Sequence, residues 1–568
     1  MTENNYWNRW WLQRASRRRM LTGSGIALTG AASLALVGCG DDDGDDDDGT
    51  TTPGGTGSPS TEQPQRGGTL RTIGGPVGSL LDIHRTNTPF ESAGVWHWAG
   101  NFLMRFAAQD PFLPEPDLAA AQPEITDDGT TLIFKIRPEA KWQQRAPANG
   151  RNVTADDVKA TFERIKGLGA QSPRSGNYVN VDTITVIDPT TVQFKLKAPQ
   201  ADLLSAMSDQ YDLIIPQEIA ARGAEAIQTA EDVVGSGPYE LVNFQAGQGF
   251  TMQRRADGYW KPDTAWVDGW EVVNQPDDQA KANALRAGQA DSTDLPALLA
   301  QQFANDSNFH VTRAPNPTRE CLLMNHKKAP YDNPQVRKAL FMAIDRRQVY
   351  ETVYGGGGIA GGPMTPAAPG WVLPEDELNT LPGFRDRPTE IKEAKALLSA
   401  AGFPNGFNDT VLTVTAFNVN LVNDIIVSNL RDIGVTLTTE NIGTDFAVFL
   451  GREVRREYNL ASTLFLSGPY PDAQLFIYHR SGAGGSRNYG DYSNPDLDAK
   501  LDRQRTIYDN EERRPLVHEI QRDLINDPGP GWIGSRIGFG VQAGKVQNVV
   551  ATPFLAGYDD AENAWIKT

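Results

Sequence analysis

Cysteine and histidine are both scarce in this sequence of 568 residues. The chain has two cysteines, Cys39 and Cys321, and six histidines that stand singly. This composition excludes a framework of several disulfides and indicates neither a catalytic triad nor a metal cluster. Cys321 lies in the largely apolar run 320–324, which predicts a small core residue on a strand rather than a nucleophile. We accordingly predict no metal ion and no cofactor.

Long uncharged hydrophobic runs are also lacking, with one exception at residues 20–38, which follows the basic cluster Ser16–Arg19. A basic segment before an apolar one is typical of an export signal. The run is near the lower length limit for a bilayer span and is weakened by its glycines and threonines, which argues against a permanent transmembrane helix. We predict an export signal over residues 1–38.

The end of this run, Leu36–Cys39, resembles a bacterial lipobox, in which small residues precede a cysteine that receives a diacylglycerol group. The resemblance implies lipidation of Cys39 and a protein anchored to the outer face of the cell membrane. A chance cysteine in a plain secretory signal is the alternative. Residues 16–21 also resemble a twin-arginine signal, although the usual residue after the variable position is shifted to Met20, so the export route stays open.

Large apolar side chains are missing from the segment that follows. Residues 40–65 consist mainly of Asp, Gly, Thr, Ser, Pro and Gln, with a block of aspartates directly after the cysteine. Such a segment cannot bury enough surface to offset the entropy of ordering. We predict that residues 39–65 form a disordered acidic tether that holds the folded body close to the membrane.

Positive charge is in deficit over the whole chain, with 53 Lys and Arg against 71 Asp and Glu, for a formal net charge of −18. A surface of this sign repels phosphate backbones, so nucleic acid is excluded as a partner. The body, residues 66–568, is long enough for two or three domains with substantial cores.

Strand and helix patterns mix freely along the body. Residues 131–136 alternate apolar and polar side chains, which predicts a half-buried strand, and residues 184–196 predict a hairpin. Thr154, with Asp157 three residues on, predicts the capped start of one helix, and Asn333-Pro334 predicts the start of another. The pattern indicates a mixed α/β protein of several lobes.

Three fragments resemble enzyme motifs but lack a required part. His518-Glu519 begins like a zinc-protease helix, but the second histidine needed one turn later is Arg522. Gly355–Gly358 is not followed by the lysine and hydroxyl residue of a phosphate-binding loop, and Gly235–Gly237 lacks the spacing of a nucleophile elbow. We predict that the protein is not an enzyme.

Several stretches, in order, resemble the solute-binding proteins that deliver oligopeptides, dipeptides or nickel complexes to ATP-binding-cassette importers. The resemblance covers residues 67–560 approximately. Its most specific part is a Gly-Ser-Gly-Pro-Tyr signature followed by a hairpin and an Asp-x-Tyr-Trp ending. The stretches are "LAAAQPEITDDGTTLIFKIRPEAKW", "VTADDVKATFERI", "GSGPYELVNFQAGQGFTMQRRADGYW", "MNHKKAPYDNPQVRKALFMAIDR", "AKALLSAAGFPNGF" and "YSNPDLDAKLD".

The resemblance implies an α/β fold of the two-lobed periplasmic-binding-protein (Venus-flytrap) type with an additional inserted domain. Two hinge strands would join the lobes, near Thr318–Asn325 and near Asp527–Trp532. By analogy, the inserted domain comprises residues 101–229 and lobe II residues 316–529. Lobe I is then made of three segments, 66–100, 230–315 and 530–568.

The family contributes ligand contacts from a lobe II segment that corresponds to residues 463–482. The resemblance therefore implies Phe465, Ser467, Tyr470 and Asp472 as ligand-binding candidates there. The segments around His84 and Trp96 are implied as contacts from the opposite side. Each of these residues could equally belong to the core.

One position departs from the family pattern. Peptide binders of this group carry an aspartate, four residues before the conserved proline, that pairs with the free amino terminus of the peptide; here that position is Ser467. An unpaired buried ammonium is costly, so recognition should not depend on a charged amino terminus unless Asp472 reaches the same point. Oligopeptides held by their backbone and non-peptide solutes stacked on Tyr470 both stay open; a metal chelate or saccharide is a further alternative.

The resemblance implies an exported lipoprotein that binds a peptide or another small polar solute as a monomer. Its partners would be a permease and the ATPase subunits of an importer. The alternative from another functional class is an extracellular sensor or scaffold that binds a partner protein.

Overall fold

The computed structural model describes residues 63–74, 77–86, 94–106, 114–368, 370–466, 468–482, 487–549 and 562–567. The predicted export signal, Cys39, most of the predicted tether and Ser467 lie outside the described residues. Among the helices that the structure describes, none combines the length and the apolar character needed to cross a bilayer.

Nineteen strands are described in the chain. They are β1 Thr69–Gly74, β2 Met104–Phe106, β3 Pro114–Pro116, β4 Glu124–Thr126, β5 Thr131–Lys135, β6 Val181–Asp188, β7 Thr191–Leu196, β8 Tyr239–Gln245, β9 Gly249–Arg254, β10 Gly269–Asn274, β11 Ser292–Asp294, β12 Phe309–Met324, β13 Gly358–Ala360, β14 Asn408–Thr413, β15 Thr436–Asn441, β16 Leu460–Leu466, β17 Gly531–Ala543, β18 Val546–Gln547 and β19 Trp565–Ile566.

Fifteen α-helices are described between these strands. They are α1 Gly94–Ala99, α2 Ala155–Gly167, α3 Leu203–Met207, α4 Gln217–Ala220, α5 Asp278–Arg286, α6 Ala297–Ala300, α7 Pro334–Ala343, α8 Arg346–Tyr354, α9 Glu375–Leu378, α10 Arg387–Ala400, α11 Val419–Arg431, α12 Phe446–Val454, α13 Ile477–His479, α14 Pro495–Gln504 and α15 Asn510–Asn526. A π-helical turn, Asp472–Phe476, leads directly into α13.

Local sequence signals account for several of these elements. The predicted hairpin is β6–β7, in which Ile184 lies opposite Phe194. The Asn333 side chain caps α7 by accepting a hydrogen bond from the Gln335 amide at 2.9 Å, with Pro334 at the first helical position. Cys321 lies on β12 and is fully buried, which confirms the prediction of a core residue.

One large mixed sheet runs through the molecule in the order β15-β14-β16-β12-β17-β11-β1-β10-β9-β8, and β13 pairs with β17 at its side. The strands β12 and β17 pair with each other along most of their lengths. They carry the chain between two halves of the sheet, with β16, β14 and β15 on one side and β11, β1, β10, β9 and β8 on the other. The predicted two-lobed α/β fold is thereby confirmed.

The register locates the crossing between the halves. β12 acquires β16 as a neighbour from Thr318 onward, and β17 pairs with β11 only from Gly540 onward. The crossing in β17 therefore lies after Ser535, further along the chain than the predicted hinge at Asp527–Trp532. The hinge position was implied by the resemblance to a family, which does not fix the residue at which the lateral neighbour of a strand changes in this chain.

Residues 101–229 carry a separate antiparallel sheet in the order β4-β5-β7-β6. Helix α2 packs on this sheet, with Phe162 edge-on to Phe194. The apolar core is nevertheless continuous with that of the β1–β10 half, since Leu70 and Trp270 belong to the same buried cluster as Phe134.

The parallel strands of both halves run toward the crossing. In one half, β14 is parallel to β15 and β16, and the last residue of β16 lies beside Thr318 of β12. In the other half, β1 is parallel to β10 and β11, and β11 runs along β17 toward the crossing. The loops that follow these strands therefore face one another across β12 and β17, the position at which open α/β sheets bind ligands.

Candidate functional site

The candidate site is the region between the two halves, which we call the cleft. Its lobe II wall consists of the loops after β14, β15 and β16, of which the structure describes residues 414–418, 442–445 and 468–471. Its floor is the crossing of β12 and β17. The sequence places two charged residues, Arg319 and Glu320, on this otherwise apolar part of β12, and both are fully buried.

Glu320 is the centre of a hydrogen-bond network on one face of the sheet. Its Oε2 accepts a bond from the Tyr350 hydroxyl at 2.8 Å, and its Oε1 accepts bonds from the Tyr354 hydroxyl at 3.1 Å and from Arg536 Nε at 2.5 Å. Burial and the neighbouring Glu320 charge raise the pKa of Tyr350 well above its ordinary value. A buried carboxylate with these partners fixes the two crossing strands to each other and to α8.

Arg319 occupies the opposite face of β12. Its guanidinium lies 3.7 Å from the centre of the Trp532 ring and 5.1 Å from that of Tyr478. It donates hydrogen bonds to the carbonyls of Pro363 and Gln474. Burial lowers the pKa of Arg319 to about 10. This side chain ties the floor of the cleft to the segment that carries the predicted ligand contacts.

Phe465, a predicted ligand contact, lies near the end of β16 in an aromatic cluster. Its ring centre is 4.9 Å from that of Tyr478, 5.9 Å from that of Tyr489 and 6.1 Å from that of Trp532. Only 6% of the residue is exposed. The structure thus gives Phe465 a packing role beneath the cleft, and a ligand contact by this residue stays a prediction.

Tyr470 reaches across to the other half of the molecule. It stacks near Phe106 with 6.5 Å between ring centres and belongs to the core cluster of the β1–β10 half. Burial and the carboxylates of Asp209 and Asp202 raise the pKa of its hydroxyl well above the ordinary value. A ligand contact by Tyr470 also stays a prediction.

Asp472, at the start of the π-helical turn, accepts hydrogen bonds from other residues of lobe II. Oδ1 accepts a hydrogen bond from Gln504 Nε2 and Oδ2 accepts one from Arg505 Nε, each at 2.7 Å. Burial and Asp202 raise the pKa of the Asp472 carboxyl, while Arg505 and Arg513 oppose this rise. Both oxygens therefore already serve a network within the protein.

The same network joins lobe II to residues 101–229. The Asp472 amide donates to Asp202 Oδ2 at 2.7 Å, and Arg513 of α15 forms an ion pair with the other oxygen of Asp202. The Ala201 amide also donates to the Arg505 carbonyl at 2.7 Å. We call this set of contacts, centred on Asp202, Asp472 and Arg513, the interlobe network.

His84 and Trp96, the predicted contacts from the opposite side, are fully buried in the shared core. His84 Nδ1 accepts a hydrogen bond from Arg164 at 2.7 Å, so Nε2 carries the proton and donates to the Leu213 carbonyl at 2.9 Å. Burial and the Arg164 charge lower the pKa of His84 to about 3. Trp96 Nε1 donates to the Leu81 carbonyl at 2.8 Å. The structure therefore gives both residues internal partners, and ligand binding by either stays a prediction.

The described residues offer neither a metal cluster nor a reactive thiol. No group of three or more His, Cys, Asp or Glu side chains among them could hold a metal ion. Burial raises the pKa of the Cys321 thiol well above its ordinary value, which keeps it protonated.

Sequence reasoning overlooked Glu320 and Arg536 as parts of the site, although a charged pair at 319–320 inside a buried strand was the signal available.

Comparison with known proteins gives a consistent result. The sequence profile of the bacterial extracellular solute-binding proteins, family 5 (middle part), matches residues 114–488, about two-thirds of the chain. Heme-binding protein A of Haemophilus influenzae is 27% identical over 478 residues, which are 78% of this chain and 83% of that protein.

Two further proteins, one similar in sequence and one similar in fold, bind other kinds of ligand. The glutathione-binding protein GsiB of Escherichia coli K12 is 28% identical over 317 residues, 55% of this chain and 58% of that protein. The periplasmic binding protein DppA of Helicobacter pylori, solved in complex with the peptide STSA, superposes with a TM-score of 0.70 and 22% identity. That superposition covers 89% of this chain and 99% of the other.

Proposed function

Because the chain belongs to family 5 of the bacterial extracellular solute-binding proteins, we propose that it captures a peptide or similar polar solute and delivers it to an ATP-binding-cassette permease. The observation that carries the proposal is that the parallel strands of both halves point their carboxyl ends toward the β12–β17 crossing. Closure of two lobes about such a crossing removes a solute from water without any chemical step, so we propose that the protein is not an enzyme.

Small-angle scattering with and without solute tests the mechanism. Three probes would be added in separate experiments: a mixture of tetrapeptides, reduced glutathione, and hemin. Proteins that are similar in sequence or fold are named for, or were solved with, these ligand types. We expect the radius of gyration to contract with whichever probe binds. A probe that binds, as shown by calorimetry, without any contraction would contradict the closing mechanism.

We further propose that recognition does not depend on a charged amino terminus. The family's aspartate position is Ser467, and the neighbouring Asp472 carboxylate is already bonded to Gln504 and Arg505. An ammonium placed there would have to displace these partners. Backbone-held oligopeptides and non-peptide solutes on the aromatic side chains are therefore the two ligand types that the proposal keeps.

Calorimetric titration with matched free and N-acetylated peptides tests this point. We expect acetylation to change the affinity by less than about threefold, because no buried anion is reserved for the amine. A large loss on acetylation would contradict the proposal. If that loss disappeared in Asp472→Asn, the amine site would be the Asp472 carboxylate.

We propose that the protein is exported and anchored by a lipid on Cys39, with a flexible acidic tether between the anchor and the body. The support is the order of basic cluster, apolar run, small residues and cysteine in the sequence. Mass spectrometry of the amino terminus of the mature protein should find a diacylated Cys39. An unmodified Cys39, or a chain that begins elsewhere, would refute the anchor.

The domain division and oligomeric state are also proposals. The separate sheet β4-β5-β7-β6 supports an inserted domain at 101–229, and the sheet order supports lobe I at 66–100, 230–315 and 530–568 with lobe II at 316–529. We propose a monomer, whose mass light scattering would measure directly. A concentration-dependent dimer would contradict it and favour a scaffold that binds partner proteins.

A further inference from the structure

Phe417 has an unusual backbone conformation in the loop that follows β14. Its φ is +53°, and the next residue, Asn418, has a φ of +61°. Left-handed conformations suit glycine and are tolerated by asparagine, but they are uncommon for a bulky aromatic residue. Strain of this kind persists only where the surrounding structure enforces it, and it concentrates at functional sites.

The structure enforces this conformation through the floor of the cleft. Arg536 Nη2 of β17 donates a hydrogen bond of 2.6 Å to the Phe417 carbonyl. Nε of the same guanidinium donates to Glu320 of β12, whose side chain is almost fully buried. One arginine thus connects the strained loop to both strands that cross between the lobes, so the loop has a fixed position relative to the crossing.

Phe417 itself is 49% exposed. Its ring stands edge-on to that of Phe446, the first residue of α12, with 5.4 Å between centres. Phe446 in turn lies 6.0 Å from the buried Phe449. The loops after β14 and β15 therefore present a supported aromatic surface on the lobe II wall of the cleft.

We propose that Phe417 is a specificity-determining residue that packs against an apolar or aromatic part of the solute. The inference rests on the proposed function, because it assigns a ligand class to the same cleft. A strained backbone that only exposes a phenyl ring does not stabilise the folded protein. A rigid aromatic surface does increase the affinity for a ligand that covers it, because little conformational entropy is lost on binding.

The test uses three forms of the full-length protein: wild type, Phe417→Gly and Leu421→Ala. Glycine removes the ring and relieves the left-handed strain, so the thermal midpoint should stay equal or rise. Leu421 is the matched control because it is an apolar side chain, 44% exposed, on the helix that follows the same loop.

Each form is incubated with a random tetrapeptide library, washed, and its retained peptides are identified by mass spectrometry. We expect wild type and Leu421→Ala to enrich peptides with aromatic or large apolar side chains and Phe417→Gly to lose this enrichment. The best enriched peptide should bind Phe417→Gly about tenfold more weakly in calorimetry.

The other outcomes separate the two proposals. Equal enrichment in wild type and Phe417→Gly, or retention by wild type of peptides with no apolar preference, would overturn the role of Phe417 while supporting solute capture. A wild type that retains no peptide would count against both the role of Phe417 and the peptide-binding function.

Discussion

At the scale of single residues, Glu453 shows how a buried carboxyl makes stability depend on pH. The side chain lies on α12, is fully buried, and neither carboxyl oxygen has a hydrogen-bond partner among the described residues. Burial dominates and raises its pKa to about 8. The folded protein therefore retains a proton that the unfolded chain releases near pH 4.5. Stability should fall as pH rises from 4.5 to 8 and level off above.

We predict that Glu453→Gln removes this pH dependence, because the amide is neutral in both states. The variant should gain about 3–5 kcal/mol over wild type at pH 8 and little at pH 4.5. Urea unfolding at pH 4.5, 6 and 8 measures the difference. Glu457→Gln, a substitution of an exposed glutamate in the following turn, is the control. Parallel pH profiles for wild type and Glu453→Gln would contradict the prediction.

Gly235, in the Gly-Ser-Gly-Pro-Tyr signature, is required for close packing. A Cβ atom at this position would lie 1.7 Å from the Ala99 carbonyl oxygen, and backbone atoms cannot move aside as a flexible side chain can. We predict that Gly235→Ala destabilises the protein by about 3 kcal/mol or more. Gly167→Ala, at a helical position with nothing within 4 Å, should be neutral or slightly stabilising. Thermal midpoints of both variants test the contrast, and equal midpoints would refute it.

At the scale of elements, the start of α2 combines a cap with a buried ionic junction. Asp157 accepts hydrogen bonds from the Thr154 amide at 2.9 Å, from the Trp142 indole at 3.1 Å and from the Gln217 amide at 2.9 Å. Arg151 pairs with the same carboxylate at 2.6 Å. We predict that Asp157→Asn costs about 3–5 kcal/mol, because the amide nitrogen would face donors and leave Arg151 half-paired. Chemical unfolding should show this loss for Asp157→Asn but not for the exposed Asp156→Asn.

The sequence predicts such an element only in part. The Thr154–Asp157 spacing predicts the cap and the helix start, since these depend on neighbours three residues apart. The contacts of Asp157 with Trp142 and Gln217 depend on the tertiary fold and leave no local pattern. For the same reason β5, β6 and β7 were predictable as strands from their alternation, whereas their pairing order was not.

The candidate site was the least predictable part of the molecule from residue patterns alone. Phe465, Tyr470 and Asp472 were implied by resemblance, and the structure gives each of them partners within the protein. The left-handed conformation of Phe417 carries no signal in the sequence, because the chain has phenylalanine where a turn would ordinarily use glycine.

At the scale of the whole molecule, the fold depends on pairings between distant segments. Thr69 lies beside Gly269, and Phe309 lies beside Ala543. Periodicity cannot reveal which strands meet over such separations, so the two-lobed architecture was reached through resemblance to a family rather than through pattern. The interlobe network is also long-range, since Asp202 and Arg513 are 311 residues apart.

This network leads to the prediction that concerns the whole molecule. Asp202 is buried, bonds the Asp472 amide and pairs with Arg513, so separating residues 101–229 from lobe II would remove the nearer of the two carboxylates that face Arg513. Asp202→Asn should weaken the contact between residues 101–229 and lobe II, so the balance should shift toward forms in which the two are separated. We predict a larger radius of gyration in scattering without solute and a weaker apparent affinity for any solute that requires closure. Asp232→Asn, which disrupts a capping carboxylate bonded to Arg222 and takes no part in the interlobe network, should leave both quantities unchanged. An unchanged radius and affinity in Asp202→Asn would show that the network stabilises the chain without controlling its opening.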